Sequence, residues 1–170
     1  VRHTFDALPE NTKVERRDKA LIAFLMLTGA RDGAVSSLRL KHVNTIDSYV
    51  FQDAREVRTK GSKTITTFFL PVDPIYEEFF LEWVRYLQKE KLFGPDDPLF
   101  PPLEIGHKDG EFAVLGFKRQ IYSNANAIRK AIKDAFLVAG LPTFTPHAFR
   151  KTLVKWASDN YQTVEAFKAF

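Results

Sequence analysis

The chain has 170 residues, 45% of them hydrophobic and 16 of them phenylalanine, which is enough apolar surface for one packed domain and excludes a disordered polyelectrolyte. Its formal net charge of +4 permits a polyanionic partner without demanding one. The absence of cysteine excludes disulfides, thiolate zinc sites and a cysteine nucleophile, and the longest apolar run, Ala20 to Leu27, is too short to span a bilayer.

No basic stretch followed by an apolar one opens the chain, so no leader peptide is visible. Asn11 or Thr12 is placed to cap a helix in which Val14, Arg17, Leu21, Phe24, Leu25 and Thr28 recur at helical spacing, with Arg17 as the charged interruption. Gly29 is a natural stop, because a helix commonly ends on a left-handed residue. A short second helix follows, with Val35 and Leu38 inward.

The period then changes. Tyr49 to Phe51, Glu56 to Arg58 and Thr64 to Leu70 are rich in β-branched and aromatic residues and are expected to be strands, with Lys60-Gly61-Ser62-Lys63 as the turn between the last two. Asp73-Pro74 opens a strong helix whose apolar stripe is Ile75, Phe79, Trp83, Tyr86 and Leu87. Phe93 to Gly110 has the Pro, Gly and Asp content of a long loop, and Phe112 to Phe117 that of a strand. Ser123 or Asn124 caps a further helix with Ile128, Ile132, Ala135 and Phe136 inward, ended by Gly140 and Pro142. Thr145-Pro146 starts another, running to about Ser158 with Phe149, Leu153 and Trp156 on its apolar side, and a last short helix starts near Thr163. The order of helices, a small sheet and then helices predicts a mainly helical α+β domain over residues 1–170.

Three places carry candidate chemistry. In Thr145-Pro146-His147-Ala148-Phe149-Arg150, the imidazole and the guanidinium lie about 60° apart on one helix. His147 is in the first turn, where unpaired N–H groups and the helix dipole favour an anion. In Thr28-Gly29-Ala30-Arg31, the arginine follows a helix-ending glycine on a tight backbone, which restricts where it points. In Thr59-Lys60-Gly61-Ser62-Lys63, a lysine at a turn offers a compact charge and a transferable proton. Each of these, taken alone, is also what an ordinary solvated surface looks like. The histidines His3, His42, His107 and His147 are scattered, with no spacing that builds a metal site, so no metal or other cofactor is expected.

Together and in this order, TGAR with Arg31, a hairpin Lys60 and TPHAFR with His147 and Arg150 resemble the catalytic domain of tyrosine recombinases, the phage integrase family. The resemblance covers nearly the whole chain. It implies metal-free cutting and rejoining of double-stranded DNA through a 3′-phosphotyrosine. In it Arg31 and Arg150 stabilise the phosphate charge, Lys60 is the acid for the leaving 5′ oxygen, and His147 binds the phosphate or assists proton transfer. Arg58, Lys63 and Lys151 are candidate phosphate contacts. The family's acidic residue three positions after the first arginine is here Ala34, for which Asp32 is the alternative, and the residue after the second arginine, often histidine, is Lys151.

The family's tyrosine lies further downstream than the 20 residues after Arg150, and Tyr161 comes too early to match it. The chain is therefore expected to be a catalytic-domain fragment without its nucleophile and without the N-terminal DNA-clamping domain. On that reading it is inactive and monomeric by itself, and a tetramer on DNA in full length. The resemblance further implies a cytoplasmic, nucleoid-associated protein of a mobile element. The alternatives are a DNA-binding regulator that kept the fold and lost catalysis, a related relaxing activity of the type IB topoisomerase kind, a metal-dependent nuclease, and a protein-interaction domain.

Overall fold

A computed structural model describes residues 2–143 and 145–160. Its elements are built around one long helix. After α1 (Arg2–Ala7), α2 (Lys13–Thr28) opens on a reciprocal cap: Glu15 N donates to Thr12 Oγ1 at 3.2 Å and Thr12 N donates to the Glu15 carboxylate at 2.9 Å. From Ala20 to Thr28 every residue is buried, so α2 is apolar on all sides and forms the axis of the core. Arg17 is buried as well. Its guanidinium is satisfied by Asp18, the Pro101 carbonyl and the Tyr122 hydroxyl, as a buried charge requires.

Helix α4 (Pro74–Lys89) packs along α2. Asp73 caps it by accepting from Ile75 N at 3.1 Å, with Pro74 in the first turn, as its sequence predicts. Phe80 meets Phe24 at 5.1 Å between ring centroids, and buried Trp83 donates from its indole to the Leu99 carbonyl at 3.0 Å. Helix α1, too short to show a period, is held by Phe5, which packs edge-on against Tyr76 and Phe79.

Between α3 (Asp32–Val35) and α4 lies an antiparallel sheet of β1 (Val43–Asn44), β2 (Tyr49–Gln52) and β3 (Ile65–Phe68), in that order. Leu70 N donates to the Leu27 carbonyl at 2.8 Å and ties the end of β3 to α2. After α4 come the hairpin β4 (Leu103–Lys108) and β5 (Glu111–Phe117), then α5 (Asn126–Val138) and α6 (Pro146–Asn160). Neither candidate occupies the cap position of α5, which is Ala125 without a side-chain bond; Asn124, one residue earlier, accepts from Asn126 N at 2.9 Å. Phe149 of α6 packs on Phe136 of α5. The mainly helical α+β architecture is the one the sequence predicts.

Three local expectations are corrected. Glu56 to Arg58 is not a strand: Arg55 N donates to the Asp53 carboxylate, and the amides of Glu56 and Val57 both donate to the Asp53 carbonyl, which curls the segment into a turn. Residues 103–108 are not loop but strand β4, paired with β5 across a tight turn at Asp109 and Gly110, both with positive φ. On α6 the third buried position is Ala157, and Trp156 is only half-buried. Tyr161 and the short helix expected near Thr163 lie outside the described residues. Among those described, no helix is long and apolar enough to cross a membrane.

Candidate functional site

The turn that carries Arg31 is braced from within. Gly29 takes the left-handed conformation (φ 57°) and its N–H donates to the Leu25 carbonyl at 2.9 Å. The Thr28 hydroxyl donates to the Phe24 carbonyl at 2.8 Å and accepts from Ala30 N at 3.2 Å. Arg31 follows in extended backbone as the residue before α3, its side chain exposed. Threonine, glycine and arginine in that order thus hold a guanidinium at the end of the most buried helix of the fold.

Lys60 opens a short 3₁₀ turn, Lys60–Ser62, inside the connection from β2 to β3. This connection is anchored at both sides of the chain. Asp53 holds Arg55, and Glu56 accepts from Lys41 Nζ at 2.8 Å and lies 2.9 Å from His42 Nε2. His42 Nδ1 accepts from Arg39 N, so Nε2 carries the proton given to Glu56. Hydrogen bonds from the Arg55 side chain and then its backbone hold the Asp53 carboxyl at about 2, and those from Lys41 and His42 hold Glu56 below its ordinary value. A carboxyl with a lowered folded-state pKa stabilises the fold above its unfolded value and ceases to as pH falls through the folded one. We therefore expect the difference in melting temperature between parent and Asp53→Asn to be full above the free Asp value of 3.8 and to close as pH falls toward about 2. A difference independent of pH over that range rejects the assignment.

Helix α6 begins at Pro146, packs on α2 and buries Phe149 and Leu153, with Phe149 against Phe136 of α5. This turns His147 and Arg150 to its other side. Arg31, Lys60 and Arg150 line a single recess, with Thr28, Gln52, Thr59 and Thr67 among its walls. Arg31, Arg150 and His147 line the recess next to it, with Asp32 and Pro146. Four side chains from three separate segments, up to 119 positions apart (31 to 150), thus border two adjoining recesses that share Arg31 and Arg150. Lys151 lies beside His147 and Arg150 along an outer groove, Lys63 is exposed, and the Arg58 guanidinium is held by Ser36 Oγ and the Tyr122 carbonyl.

The phage integrase family profile matches residues 3–161. The chain belongs to the phage integrase family. It shares its fold with a solved structure of XerA recombinase, at a TM-score of 0.66 and 19% identity over 99% of this chain and 50% of that one. It thus spans half the length of that recombinase. No curated protein matches the chain.

Where the resemblance implies an acid three residues after the first arginine, Ala34 sits buried in the recess wall. Asp32 borders the neighbouring recess, but its carboxylate is bound by Arg129 of α5. Burial and then the positive charge of Arg31 push the Arg150 guanidinium below the ordinary arginine value. Among the described residues the side chains of Arg31, Lys60 and His147 have no hydrogen bond or ion pair. Exposed Arg31 and Lys60 and half-buried Arg150 line one recess with no carboxylate among its described lining residues, and such a place favours an anion.

Sequence reasoning missed the polar floor. Gln52 and Thr67 are buried and bonded to each other at 3.3 Å across β2 and β3, and the Thr59 hydroxyl is buried with no hydrogen-bond partner. The signal was the alternation Ile65-Thr66-Thr67-Phe68, which puts a threonine on the inward face of a strand.

Proposed function

We propose that this chain is the catalytic domain of a site-specific DNA recombinase or integrase that cuts and rejoins double-stranded DNA through a 3′-phosphotyrosine. The observation that carries the reading is the shared recess of Arg31, Lys60 and Arg150, with His147 beside it. In-line attack on a phosphodiester spreads negative charge over the non-bridging oxygens, and fixed cations stabilise that charge. Arg31 and Arg150 take this role. Lys60 protonates the departing 5′ oxygen, and His147 binds a phosphate oxygen or relays a proton. Lys63 and Lys151 meet flanking phosphates, and no metal is required.

The nucleophile in this reading is a tyrosine beyond Phe170, so the chain alone does not cleave DNA, whereas the full-length protein assembles as a tetramer on paired sites, working on nucleoid DNA in the cytoplasm as part of a mobile element. The test is to incubate full-length protein with a nicked duplex of its site in the presence of chelator. A covalent protein–DNA adduct joined through tyrosine supports the reading. One observation favours a second reading: buried Ala34 in place of the family's acid fits a regulator that binds DNA without cutting it. Site-specific, salt-sensitive binding with no adduct supports the regulator.

A further inference from the structure

We infer that Arg58 is a positioning residue, which fixes the Lys60 turn against the segment bearing Arg31 rather than serving as a DNA contact. The inference rests on the proton-donor role proposed for Lys60. A lysine reaches its target on a flexible four-carbon stem, so its aim depends on where its backbone is held. Among the described residues the Lys60 backbone has no ladder partner, and Arg58 ties its connection to the segment that bears Arg31.

Arg58 does so at three points. Its backbone N donates to Ser37 Oγ at 2.9 Å, and its Nη1 donates to Ser36 Oγ at 3.2 Å and to the Tyr122 carbonyl at 2.7 Å. Both serines are buried, and their hydroxyls donate back into α3: Ser36 to the Gly33 carbonyl at 2.7 Å and Ser37 to the Ala34 carbonyl at 3.0 Å. Helix α3 is the one that Arg31 precedes. Adjacent Val57 is 2% exposed and pins the other side of the same residue in the core. From Arg58 to Lys60 is two residues, which span at most about 7 Å. A clamp at Arg58 therefore sets the distance from Lys60 to Arg31 far more tightly than the lysine side chain could.

The test uses the full-length protein as parent, Arg58→Met and Lys60→Ala, with two measurements. The first is amide hydrogen exchange of residues 59–64 without DNA. We expect exchange there to rise about tenfold or more in Arg58→Met while α2 is unchanged, as for a local opening. Unchanged exchange overturns the inference.

The second is single-turnover cleavage of two duplexes, one with the ordinary 5′ oxygen at the scissile bond and one with sulfur in its place. In this step the tyrosine hydroxyl gives up its proton to water, its oxygen bonds to phosphorus, and the bond from phosphorus to the 5′ atom breaks. With oxygen leaving, the Lys60 ammonium gives it a proton and becomes neutral. With sulfur leaving, no proton is needed, because a thiol pKa is about 8.5. We expect Arg58→Met to cut the oxygen duplex about 100-fold more slowly and the sulfur duplex within about threefold of parent, with Lys60→Ala showing the same pattern. Equal slowing of both duplexes by Arg58→Met, with a shallower salt dependence of DNA binding, makes Arg58 a phosphate contact and overturns the inference. If Lys60→Ala itself slows both duplexes equally, the acid role of Lys60 fails, and hydrogen exchange alone then decides whether Arg58 is the clamp.

Discussion

Arg31→Ala or Arg150→Ala in the full-length protein lowers the rate of DNA cleavage by about 1,000-fold or more, a loss at the upper end of what removing one preorganised charge stabiliser costs. The reason lies in how the recess is charged. Arg31 and Arg150 line one recess, in which Ala34 stands where the resemblance implies an acid and the positive charge of Arg31 acts on Arg150, so in the proposed reading both guanidiniums meet the charge of the phosphate. The measurement is the single-turnover rate of covalent adduct formation on a nicked duplex, and normal cleavage by either variant refutes the assignment. Stability moves the other way. The Arg31 side chain has no hydrogen bond or ion pair among the described residues, and its charge acts against Arg150. Arg31→Ala is thus expected to melt at or slightly above the parent temperature, the trade of stability for activity common at functional sites. A variant that lost cleavage because it lost its fold would melt lower, so the two causes are separated by one thermal scan.

Phe80→Ala destabilises the domain by about 3–5 kcal/mol, as for other fully buried phenylalanines. Phe80 is fully buried and lies among Phe24, Phe69 and Phe100, at 5.1, 5.7 and 6.4 Å between ring centroids. These rings come from α2, the segment after β3, and the stretch before β4, so the cavity opens where several elements meet and none can collapse into it alone. For a domain of this size the loss lowers the melting temperature by about 10 °C or more. Phe112 is the internal comparison: it is 78% exposed on β5, and Phe112→Ala is expected to change stability by no more than about 0.5 kcal/mol. Equal effects of the two substitutions would show that the aromatic cluster is not the centre of the core. Because Phe80 lies outside the cationic recess, its alanine variant is expected to keep cleavage at temperatures where it remains folded.

Much of the molecule is legible in the sequence because the forces that set it act over a few residues. The cap at Thr12, the left-handed stop at Gly29, and the Asp73-Pro74 start of α4 are each decided within one helical turn. The same holds for the site's pieces: the tight turn before Arg31 and the spacing of His147 and Arg150 on one helix are local facts. The strand β4 shows the limit. Its residues look like loop, and it becomes a strand only because Asp109-Gly110 folds β5 back along it.

What the tertiary structure decided is which charges meet. Asp32 adjoins Arg31 in the chain, yet its carboxylate goes to Arg129, 97 positions away, and leaves the recess to the cations. Arg58 looks in sequence like one more surface charge, and the fold places its guanidinium on Ser36 and Tyr122. Arg31, Lys60 and Arg150 border one depression only because α2, the β2–β3 connection and α6 are packed on a common core. A charge acts through space on whatever packing brings near it, so its partners are a property of the folded chain, whereas caps, turns and periods are settled by neighbours along it.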